Sequence, residues 1–242
     1  MMRLDQALVA AGLADSRARA QALIAAGVVR IDGVPAAKPA QKVPEGAALT
    51  LTADPLPYVS RAALKLRHAL ETFGLDPAGA IALDLGASTG GFSEVLLEAG
   101  AAEVWAIDVG HGQLHPRLRS DPRLHAIEGL NVRDLTAAHV PAPDWIVSDL
   151  SFISLEKALP PALALARPGA TLIALIKPQF EVGPAHVGKG GLVRDVAARE
   201  AARARIRGFL EASGWRVTAE DESPITGGNG NTEYLVAAIR SL

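Results

Sequence analysis

The residues best suited to cofactor chemistry form a glycine-rich turn after an apolar run. The run 80–85 carries Asp84 near its end, and a glycine-rich turn follows over residues 86–92. Glycines lack side chains, so backbone N–H groups can approach a bound cofactor. A second run, 103–108, ends in Asp108, which is placed to accept hydrogen bonds from ribose hydroxyl groups. The glycine spacing departs from the G-x-G-x-x-G pattern of dinucleotide enzymes, and we therefore expect S-adenosylmethionine as the cofactor.

Polar residues also follow the next predicted strands. Asn131 and Val132 would suit an adenine edge, although a single Asn in a loop is equally typical of a turn. Asp149 and Lys177 end two further strands. Each alone is most often a cap or a solvated charge, but neighbouring strand ends meet at one edge of a sheet, which favours a shared site. The residues assigned to the cofactor are Asp84, Gly86, Ala87, Ser88, Thr89, Gly90, Gly91, Phe92, Asp108, Val109, Asn131, Val132 and Asp149.

Two further charged residues are candidates for the same site. Over 60–73 a helical pattern places Arg61, Lys65 and His68 on one face, with apolar residues on another face that would pack on a sheet. Lys65 would then either lean over the site or face water. Glu233 begins the last predicted strand after a glycine-rich turn, so it is either a ligand-facing acid or a strand-edge residue.

Strand and helix patterns alternate after residue 60, which predicts an α/β domain with a parallel, doubly wound, Rossmann-like sheet of seven strands. The glycine-rich segment 180–194 is long enough to be a mobile loop over the site. The predicted strands are 80–85, 103–108, 124–127, 144–149, 171–176, 215–221 and 232–239.

The first 52 residues predict a separate, small α+β domain of two helices and a hairpin. Two closely spaced prolines then predict an interdomain linker at 53–59, before a second domain at 60–242. Ser16 is a plausible cap that directs Arg17 and Arg19 outward beside Arg3. The net charge of residues 1–57 is only +1, so charge alone favours ordinary solvated side chains over nucleic-acid binding.

Bulk properties exclude several classes of protein. The chain of 242 residues has a formal net charge of −2 and no cysteine, which rules out disulfides and thiol chemistry. We see no signal peptide and no apolar run long enough to cross a membrane, and we therefore expect a soluble, cytoplasmic protein. Histidines and acids do not cluster at ligand spacing, so the sequence indicates no metal site and leaves metal dependence open.

Residues 3–51 resemble the small RNA-binding module first described in a ribosomal protein of the small subunit, the alpha-L fold. The resemblance is carried by residues 3–5, 13–17, 22–29, 32–33 and 38–39. It implies that basic side chains of this segment meet RNA phosphates. The residues assigned to RNA are Arg3, Arg17, Arg19, Lys38 and Lys42, together with Arg61 of the second domain.

The second domain resembles the FtsJ-like ribose 2′-O-methyltransferases. In their sequence contexts, Lys65, Asp149, Lys177 and Glu233 match the Lys-Asp-Lys-Glu tetrad of that family. With the N-terminal module attached, the chain is similar to the TlyA family, which is also labelled haemolysin A. The resemblance implies methylation of a cytidine 2′-hydroxyl in ribosomal RNA, with ribosomal RNA or ribosomal subunits as partners and neither DNA nor a membrane.

Lys177 is the candidate base for such a reaction, because a ribose hydroxyl must lose its proton to attack a methyl group. Lys65 and desolvation would favour a neutral Lys177, whereas pairing with Asp149 and Glu233 would oppose it and fix its direction. The sequence leaves open which effect dominates. The alternatives are a membrane-active cytolysin, a nicotinamide enzyme, and an RNA-binding protein with an inactive second domain.

Overall fold

The computed structural model describes residues 2–14, 16–52 and 58–242. The chain divides into two compact units, the second of which begins at Tyr58. Residues 53–57 of the predicted linker lie outside the described residues. Each unit is considered by itself below.

The N-terminal unit contains the two predicted helices and the predicted hairpin, together with short strands that the sequence did not indicate. Asp32 and Gly33 have φ values of 49° and 80°, the left-handed pair that closes a tight two-residue hairpin. The elements are β1 (Met2–Arg3), α1 (Leu4–Ala10), α2 (Arg17–Ala25), β2 (Val29–Ile31), β3 (Val34–Pro35), β4 (Lys42–Val43) and β5 (Leu49–Leu51). Strand β1 pairs with β4, and β3, β2 and β5 form a second sheet.

A small apolar core holds this unit together. Leu4 and Leu8 of α1 pack against Leu23 and Ile24 of α2, and all four side chains are almost completely buried. Ser16 caps α2, since its hydroxyl oxygen accepts a hydrogen bond from the Arg19 backbone N–H at 3.1 Å. The cap lies where the sequence places it.

The second unit alternates strands and helices. Its seven strands lie within two residues of the predicted bounds at each end. The elements are α3 (Ala62–Phe73), β6 (Ile81–Leu85), α4 (Gly91–Glu98), β7 (Glu103–Asp108), α5 (Pro116–Arg119), β8 (Leu124–Glu128), β9 (Trp145–Ser148), α6 (Leu155–Ala158), α7 (Pro160–Leu165), β10 (Thr171–Ile176), α8 (Pro178–Glu181), α9 (Val196–Ala212), β11 (Trp215–Glu222) and β12 (Tyr234–Arg240).

The seven strands form one sheet in the order β11-β12-β10-β9-β6-β7-β8. Strands β6 to β10 are parallel, but β12 runs antiparallel to both β10 and β11. The prediction of a parallel sheet is therefore wrong at β12 alone. The physical reason is the connection from Glu222 to Tyr234, which contains no helix; a short link of this kind suits an antiparallel pair, whereas a parallel crossover needs a longer one.

Helices cover both faces of this sheet. Successive strand residues point to opposite faces, so Leu83 and Leu85 pack against α6, α7 and α9, whereas Ala82 packs against α3 and α4. The segment 180–194, predicted as a loop, contains the end of α8 and two short 3₁₀ turns, Pro184–His186 and Lys189–Gly191. The observed layers are those of a doubly wound α/β domain.

Candidate active site

Four charged side chains converge at the carboxyl edge of the large sheet. Lys65 extends from α3, Asp149 follows β9 and Lys177 follows β10. Because β12 is antiparallel, its beginning lies at this same edge, which places Glu233 beside the other three. A strand in the predicted direction would have put Glu233 at the opposite edge.

The four side chains form a chain of ion pairs. Lys177 Nζ lies 2.6 Å from Asp149 Oδ1, and Lys65 Nζ lies 2.7 Å from Glu233 Oε2. The second carboxylate oxygen of Asp149 is 3.6 Å from Lys65 Nζ, so Asp149 bridges the two lysines. The expectation that Glu233 pairs with Lys177 is wrong, because Lys65 lies between the two acids and takes Glu233 as its own partner.

All four groups are largely removed from water. Lys65, Lys177 and Glu233 are each less than a tenth exposed, and the Asp149 side chain is 13% exposed. Buried charges are costly unless they are paired, and two amines with two carboxylates balance each other here. The open choice for Lys65 is settled: it enters the site and does not face water.

Ser151 is a further partner of Lys177 that was not among the predicted site residues. The Lys177 ammonium donates to Ser151 Oγ at 2.9 Å and to the Asp149 carbonyl oxygen at 3.3 Å. With the Asp149 carboxylate these contacts surround the amine on several sides. Ser151 stands two residues after Asp149, and this spacing could have indicated it.

A cavity of about 360 Å³ opens above the two lysines and Glu233. It is enclosed by the segment 180–194 on one side and by the glycine-rich turn before β12 on the other. The lining residues are Lys65, Ser151, Phe152, Lys177, Gln179, Phe180, Val187, Gly191, Gly227, Gly228, Asn229 and Glu233. We call this space the tetrad cavity.

A larger cavity of about 510 Å³ lies beside it, at the ends of β6, β7 and β9. The two cavities share Ser151 and Phe152, and Asp149 lines the larger one while contacting both lysines of the tetrad. Seven residues assigned to the cofactor line this larger cavity: Gly86, Ser88, Asp108, Val109, Asn131, Val132 and Asp149. We call this space the strand-end cavity.

The lining of the strand-end cavity has polar groups and a close-lying backbone that suit an adenosyl amino acid. Gly86 has a φ of 83°, and a Cβ there would lie 3.0 Å from Leu150 Cδ2 and 3.3 Å from the Asp149 carbonyl oxygen, so a side chain would crowd this wall of the cavity. Asp108 offers carboxylate oxygens that already accept backbone N–H groups of Ser88 at 2.8 Å and Gly110 at 2.7 Å. Asn131 lines the cavity and also caps a turn, since its side-chain oxygen accepts the Arg133 backbone N–H at 3.1 Å.

Gly90 and Gly91 of the glycine-rich turn allow close packing of helices. A Cβ on Gly90 would overlap Leu114 and Leu118, and one on Gly91 would overlap Ser60 and lie 3.1 Å from the Ala63 nitrogen. These glycines therefore allow α4 to approach α3 and α5 closely. The assigned residues that do not line the strand-end cavity are Asp84, Ala87, Thr89, Gly90, Gly91 and Phe92.

Phe152 presents an aromatic ring at the junction of the two cavities. Its side chain is 90% exposed, and its backbone φ of 66° is unusual for a bulky residue. The Phe180 ring lies 5.1 Å away between centroids and is tilted by 49°. An exposed aromatic side chain held at a strained backbone position is a common feature of ligand-binding sites.

Two buried residues that were not predicted as site residues support the walls of the site. Glu181 accepts the Leu155 N–H at 2.8 Å and pairs with Arg205, and burial raises the pKa of the Glu181 carboxyl. Asn231 accepts the Val193 N–H and donates to the Gly191 carbonyl oxygen, both at 2.8 Å. These contacts join segments far apart in sequence, so no local pattern indicates them.

The basic residues of the N-terminal unit are arranged around a buried acid. Asp5 is completely buried and accepts hydrogen bonds from Arg3, Arg17 and Gln21. Arg3 also stands opposite Lys42 in the β1–β4 pair. The other residues assigned to RNA are the exposed Lys38, the half-buried Arg19, and Arg61, which is exposed in the second unit.

Comparison with known proteins identifies both units. Residues 58–240 match the family model of the FtsJ-like methyltransferases. The chain belongs to the FtsJ-like methyltransferase family. Residues 2–49 match the S4 domain model. The expected methyltransferase fold and the expected cofactor, S-adenosylmethionine, are thereby confirmed.

Individual relatives agree with this assignment. The chain is 48% identical over 236 residues to the 16S/23S rRNA (cytidine-2′-O)-methyltransferase TlyA of Mycobacterium tuberculosis H37Rv, covering 97% of this chain and 88% of the relative. A solved structure from Streptococcus thermophilus that carries the hemolysin name is 37% identical, with a TM-score of 0.79, and the match covers 99% of this chain and 88% of that one.

A more distant comparison supports the fold alone. An S-adenosylmethionine-dependent methyltransferase from Listeria monocytogenes is 16% identical with a TM-score of 0.58, covering 75% of this chain and 100% of that one. Within the described part of this FtsJ-like chain, no helix is both long enough and apolar enough to cross a membrane.

Proposed function

We propose that this FtsJ-like methyltransferase transfers a methyl group from S-adenosylmethionine to the 2′-hydroxyl of a cytidine in ribosomal RNA. The observation that carries the proposal is the chain of ion pairs from Lys177 through Asp149 and Lys65 to Glu233, set at the junction of two adjoining cavities. The TlyA relative, at 48% identity, is named for this reaction. The strand-end cavity would hold the methyl donor, and the tetrad cavity the ribose.

The residues of the strand-end cavity divide the binding of the donor among them. Asp108 would accept the ribose hydroxyls, Asn131 and Val132 would contact the adenine, and the backbone at Gly86 would approach the amino-acid portion. When bound, S-adenosylmethionine supplies a methyl group that is already activated by a positively charged sulfur. The protein therefore needs chiefly to align the acceptor and to remove its proton.

We assign the role of base to Lys177. As the oxygen–carbon bond forms, the proton of the 2′-hydroxyl would pass to the lone pair of a neutral Lys177, and the electrons of the breaking carbon–sulfur bond would remain on sulfur. Asp149, at 2.6 Å, aims the amine and stabilises the ammonium that results. Lys65 and Glu233 neutralise each other and hold Asp149 from the opposite side.

Phe152 and Phe180 would supply a surface for the base of the target nucleotide. RNA-modifying proteins commonly stack unpaired bases on exposed aromatic rings. Phe152 borders both cavities, so a base stacked there would carry its ribose toward Lys177. The S4 unit would hold the surrounding RNA through phosphate contacts of Arg3, Arg17, Arg19, Lys38 and Lys42, with Arg61 contributing from the second unit.

Methyl transfer to ribosomal subunits tests the proposed reaction. The protein is incubated with a labelled methyl donor and with subunits, or naked ribosomal RNA, from a strain that lacks the modification. We expect label at the 2′ oxygen of a cytidine, located by mapping the modified ribose. Label on a base, or no incorporation into any ribosomal RNA, would show the proposed substrate to be wrong.

Substitution of Lys177 tests the proposed mechanism. Lys177→Ala should abolish methyl transfer but leave donor binding, measured by calorimetry, within about twofold of the unmodified protein. Lys177→Arg retains the positive charge and the Asp149 partner, but arginine does not deprotonate in proteins, so we expect it to be equally inactive. Substantial activity in Lys177→Arg would mean that a cation, and not a base, is required at this position.

A further inference from the structure

Asp84 is a buried acid for which the proposed mechanism has no use. It lies in β6, two residues before Gly86, and it is completely buried. The Ser93 hydroxyl donates to Oδ2 at 2.6 Å, while Oδ1 has no hydrogen-bond partner among the described residues. A carboxylate in this environment would be a buried charge with half of its acceptors unsatisfied.

The charged groups nearest to Asp84 increase this penalty. Burial raises the pKa of Asp84 to about 7, hydrogen bonding from Ser93 opposes the rise, and the negative charges of Asp149 and Asp108 add to it. The elements packed around Asp84 also carry Lys65 on α3, which is committed to Glu233 and Asp149, and Glu94 on α4, which is paired with Arg117. In the described part of the chain, no lysine or arginine forms an ion pair with Asp84.

The acids that act on Asp84 line the strand-end cavity. Asp108 and Asp149 are both lining residues, and so is Gly86, two positions along the chain from Asp84. S-adenosylmethionine carries a permanent positive charge on sulfur in addition to its amino-acid charges. When this charge enters the cavity it offsets the negative potential of Asp108 and Asp149, and the carboxylate form of Asp84 becomes more favourable.

We propose that Asp84 holds a proton in the cofactor-free protein and releases it when the positively charged methyl donor binds. The inference rests on the placement of the donor in the strand-end cavity proposed above. Protonation of the free form keeps the fold from carrying an uncompensated charge beneath the glycine-rich turn. Ionisation in the complex supplies a counter-charge for the donor without requiring an exposed acid.

This exchange distinguishes the donor from the product. Methyl transfer converts the sulfonium to a neutral thioether, so S-adenosylhomocysteine lacks the charge that favours ionised Asp84. The carboxyl group then takes a proton from solvent as the product occupies the site or leaves it. Asp84 is thus ionised when the sulfur of the bound ligand is positively charged and protonated when that sulfur is neutral.

Calorimetry at several pH values tests the inference by counting protons directly. S-adenosylmethionine is titrated into the protein in pairs of buffers that differ in ionisation enthalpy, at pH 6, 7 and 8. For a free-state pKa of about 7, we expect release of about one proton at pH 6 and almost none at pH 8. Affinity should be about tenfold weaker at pH 6 than at pH 8.

Proton release is compared between two ligands, and between the unmodified protein and three kinds of variant, to show whether Asp84 is the group that ionises. S-adenosylhomocysteine should release clearly fewer protons at pH 6, and Asp84→Asn should release almost none with either ligand. Ser93→Ala removes the hydrogen bond that opposes the rise, so the pH midpoint of donor affinity should move upward. His111→Gln and His115→Gln serve as controls, because histidines titrate in the same range, and both should keep the proton release.

Three results would contradict the role proposed for Asp84, and a fourth would contradict the placement of the donor. Equal proton release by the unmodified protein and Asp84→Asn, or equal release with donor and product, would overturn the role of Asp84 while leaving the proposed function intact. If Asp84→Asn does not fold, an unchanged pH midpoint in Ser93→Ala would overturn it as well. Absence of donor binding at every pH would instead overturn the placement of the cofactor.

Discussion

The backbone of Gly227 lies against the carboxylate of Glu233, so closely that a methyl group at position 227 would overlap Oε1. The neighbouring Gly228 has open space around the equivalent position. Gly227→Ala should therefore displace Glu233 from Lys65, with which it pairs at 2.7 Å. We expect a fall in methyl-transfer turnover of at least about tenfold, since a misplacement of 1 Å in a catalytic group can cost about a hundredfold.

Gly228→Ala is the matched control for this prediction, because it adds the same methyl group to the same turn. Turnover and donor affinity are measured for both variants under identical conditions. Gly228→Ala should retain most of its turnover at saturating RNA, because its methyl group meets open space and leaves Glu233 in place, and both variants should retain donor affinity, since neither glycine lines the strand-end cavity. Equal losses in the two variants would mean that the turn as a whole, and not the position of Glu233, limits the reaction.

Asn231 joins the turn before β12 to the segment that closes the tetrad cavity. It is 2% exposed, and its amide satisfies the Val193 N–H and the Gly191 carbonyl oxygen. Asn231→Ala leaves both backbone groups without their partner and should lower the free energy of unfolding by about 1–3 kcal/mol. The KM for RNA should rise while donor affinity is unchanged, because Val187 and Gly191 line only the tetrad cavity.

Steady-state kinetics with ribosomal RNA, together with denaturant unfolding, would check this prediction. Asn231→Asp retains an oxygen that can accept the Val193 N–H but loses the donor to the Gly191 carbonyl oxygen. Its KM for RNA should therefore lie between those of the unmodified protein and Asn231→Ala. A weaker affinity for the donor in either variant would contradict the separation of the two cavities.

Asp5 organises two arginines of the S4 unit, and its removal should weaken RNA binding even though the unit becomes more positive. The Arg3 guanidinium holds the pKa of Asp5 well below its usual range; burial opposes this, and Arg17 and Gln21 reinforce it. Asp5→Asn removes the ion pairs that hold both arginines in place, so more side-chain entropy is lost when they meet phosphates. We expect RNA affinity to fall by about threefold to tenfold in filter binding.

Glu45→Gln provides the charge-matched control, since Glu45 is an exposed acid of the same unit. It should leave RNA affinity unchanged or slightly increased. The pH dependence has a definite sign: the lowered pKa of Asp5 contributes stability that is present above about pH 4 and is lost as the pH falls further. Backbone amides of the S4 unit should therefore exchange hydrogen faster in Asp5→Asn than in the unmodified protein at pH 7. The difference in protection between the two proteins should become smaller as the pH falls below about 4.

Asp84 should make the stability of the folded protein depend on pH in the sense opposite to that of Asp5. Its pKa of about 7 in the folded protein lies above the ordinary value of 3.8. The folded state therefore binds more protons than the unfolded state between these values, and its stability declines as the pH rises through this window. The side chain introduced in Asp84→Asn cannot ionise. The free energy of unfolding of this variant, relative to that of the unmodified protein, should therefore increase from pH 5 to pH 8 and then level off.

Tryptophan fluorescence during denaturant unfolding would measure this difference, because Trp105, Trp145 and Trp215 all lie in the second unit. The measurement is made without cofactor, since the donor would shift the proton equilibrium. A difference between the two proteins that stays constant from pH 5 to pH 8 would show that Asp84 is ionised throughout in the folded state.

The amino-acid sequence by itself determined the strand and helix pattern and the glycine-rich turn, because hydrophobic periodicity and turn residues act over short stretches of chain. The tetrad residues were implied by the resemblance to the FtsJ-like family and not by periodicity. Ser16 caps α2 where its residue type indicates, and Asp108 ends β7 as the apolar run predicts. These features depend on neighbours only a few residues away.

The tertiary structure alone decided how these residues meet. The antiparallel direction of β12 brings Glu233 to Lys65 and not to Lys177, and no local pattern encodes a pairing between residues so far apart in sequence. Burial likewise determines that Asp84 lies beneath the turn and does not line the strand-end cavity. The physical reason is common to both cases: ion pairing and desolvation depend on distances between residues far apart in sequence, and folding sets those distances through the packing of the whole sheet.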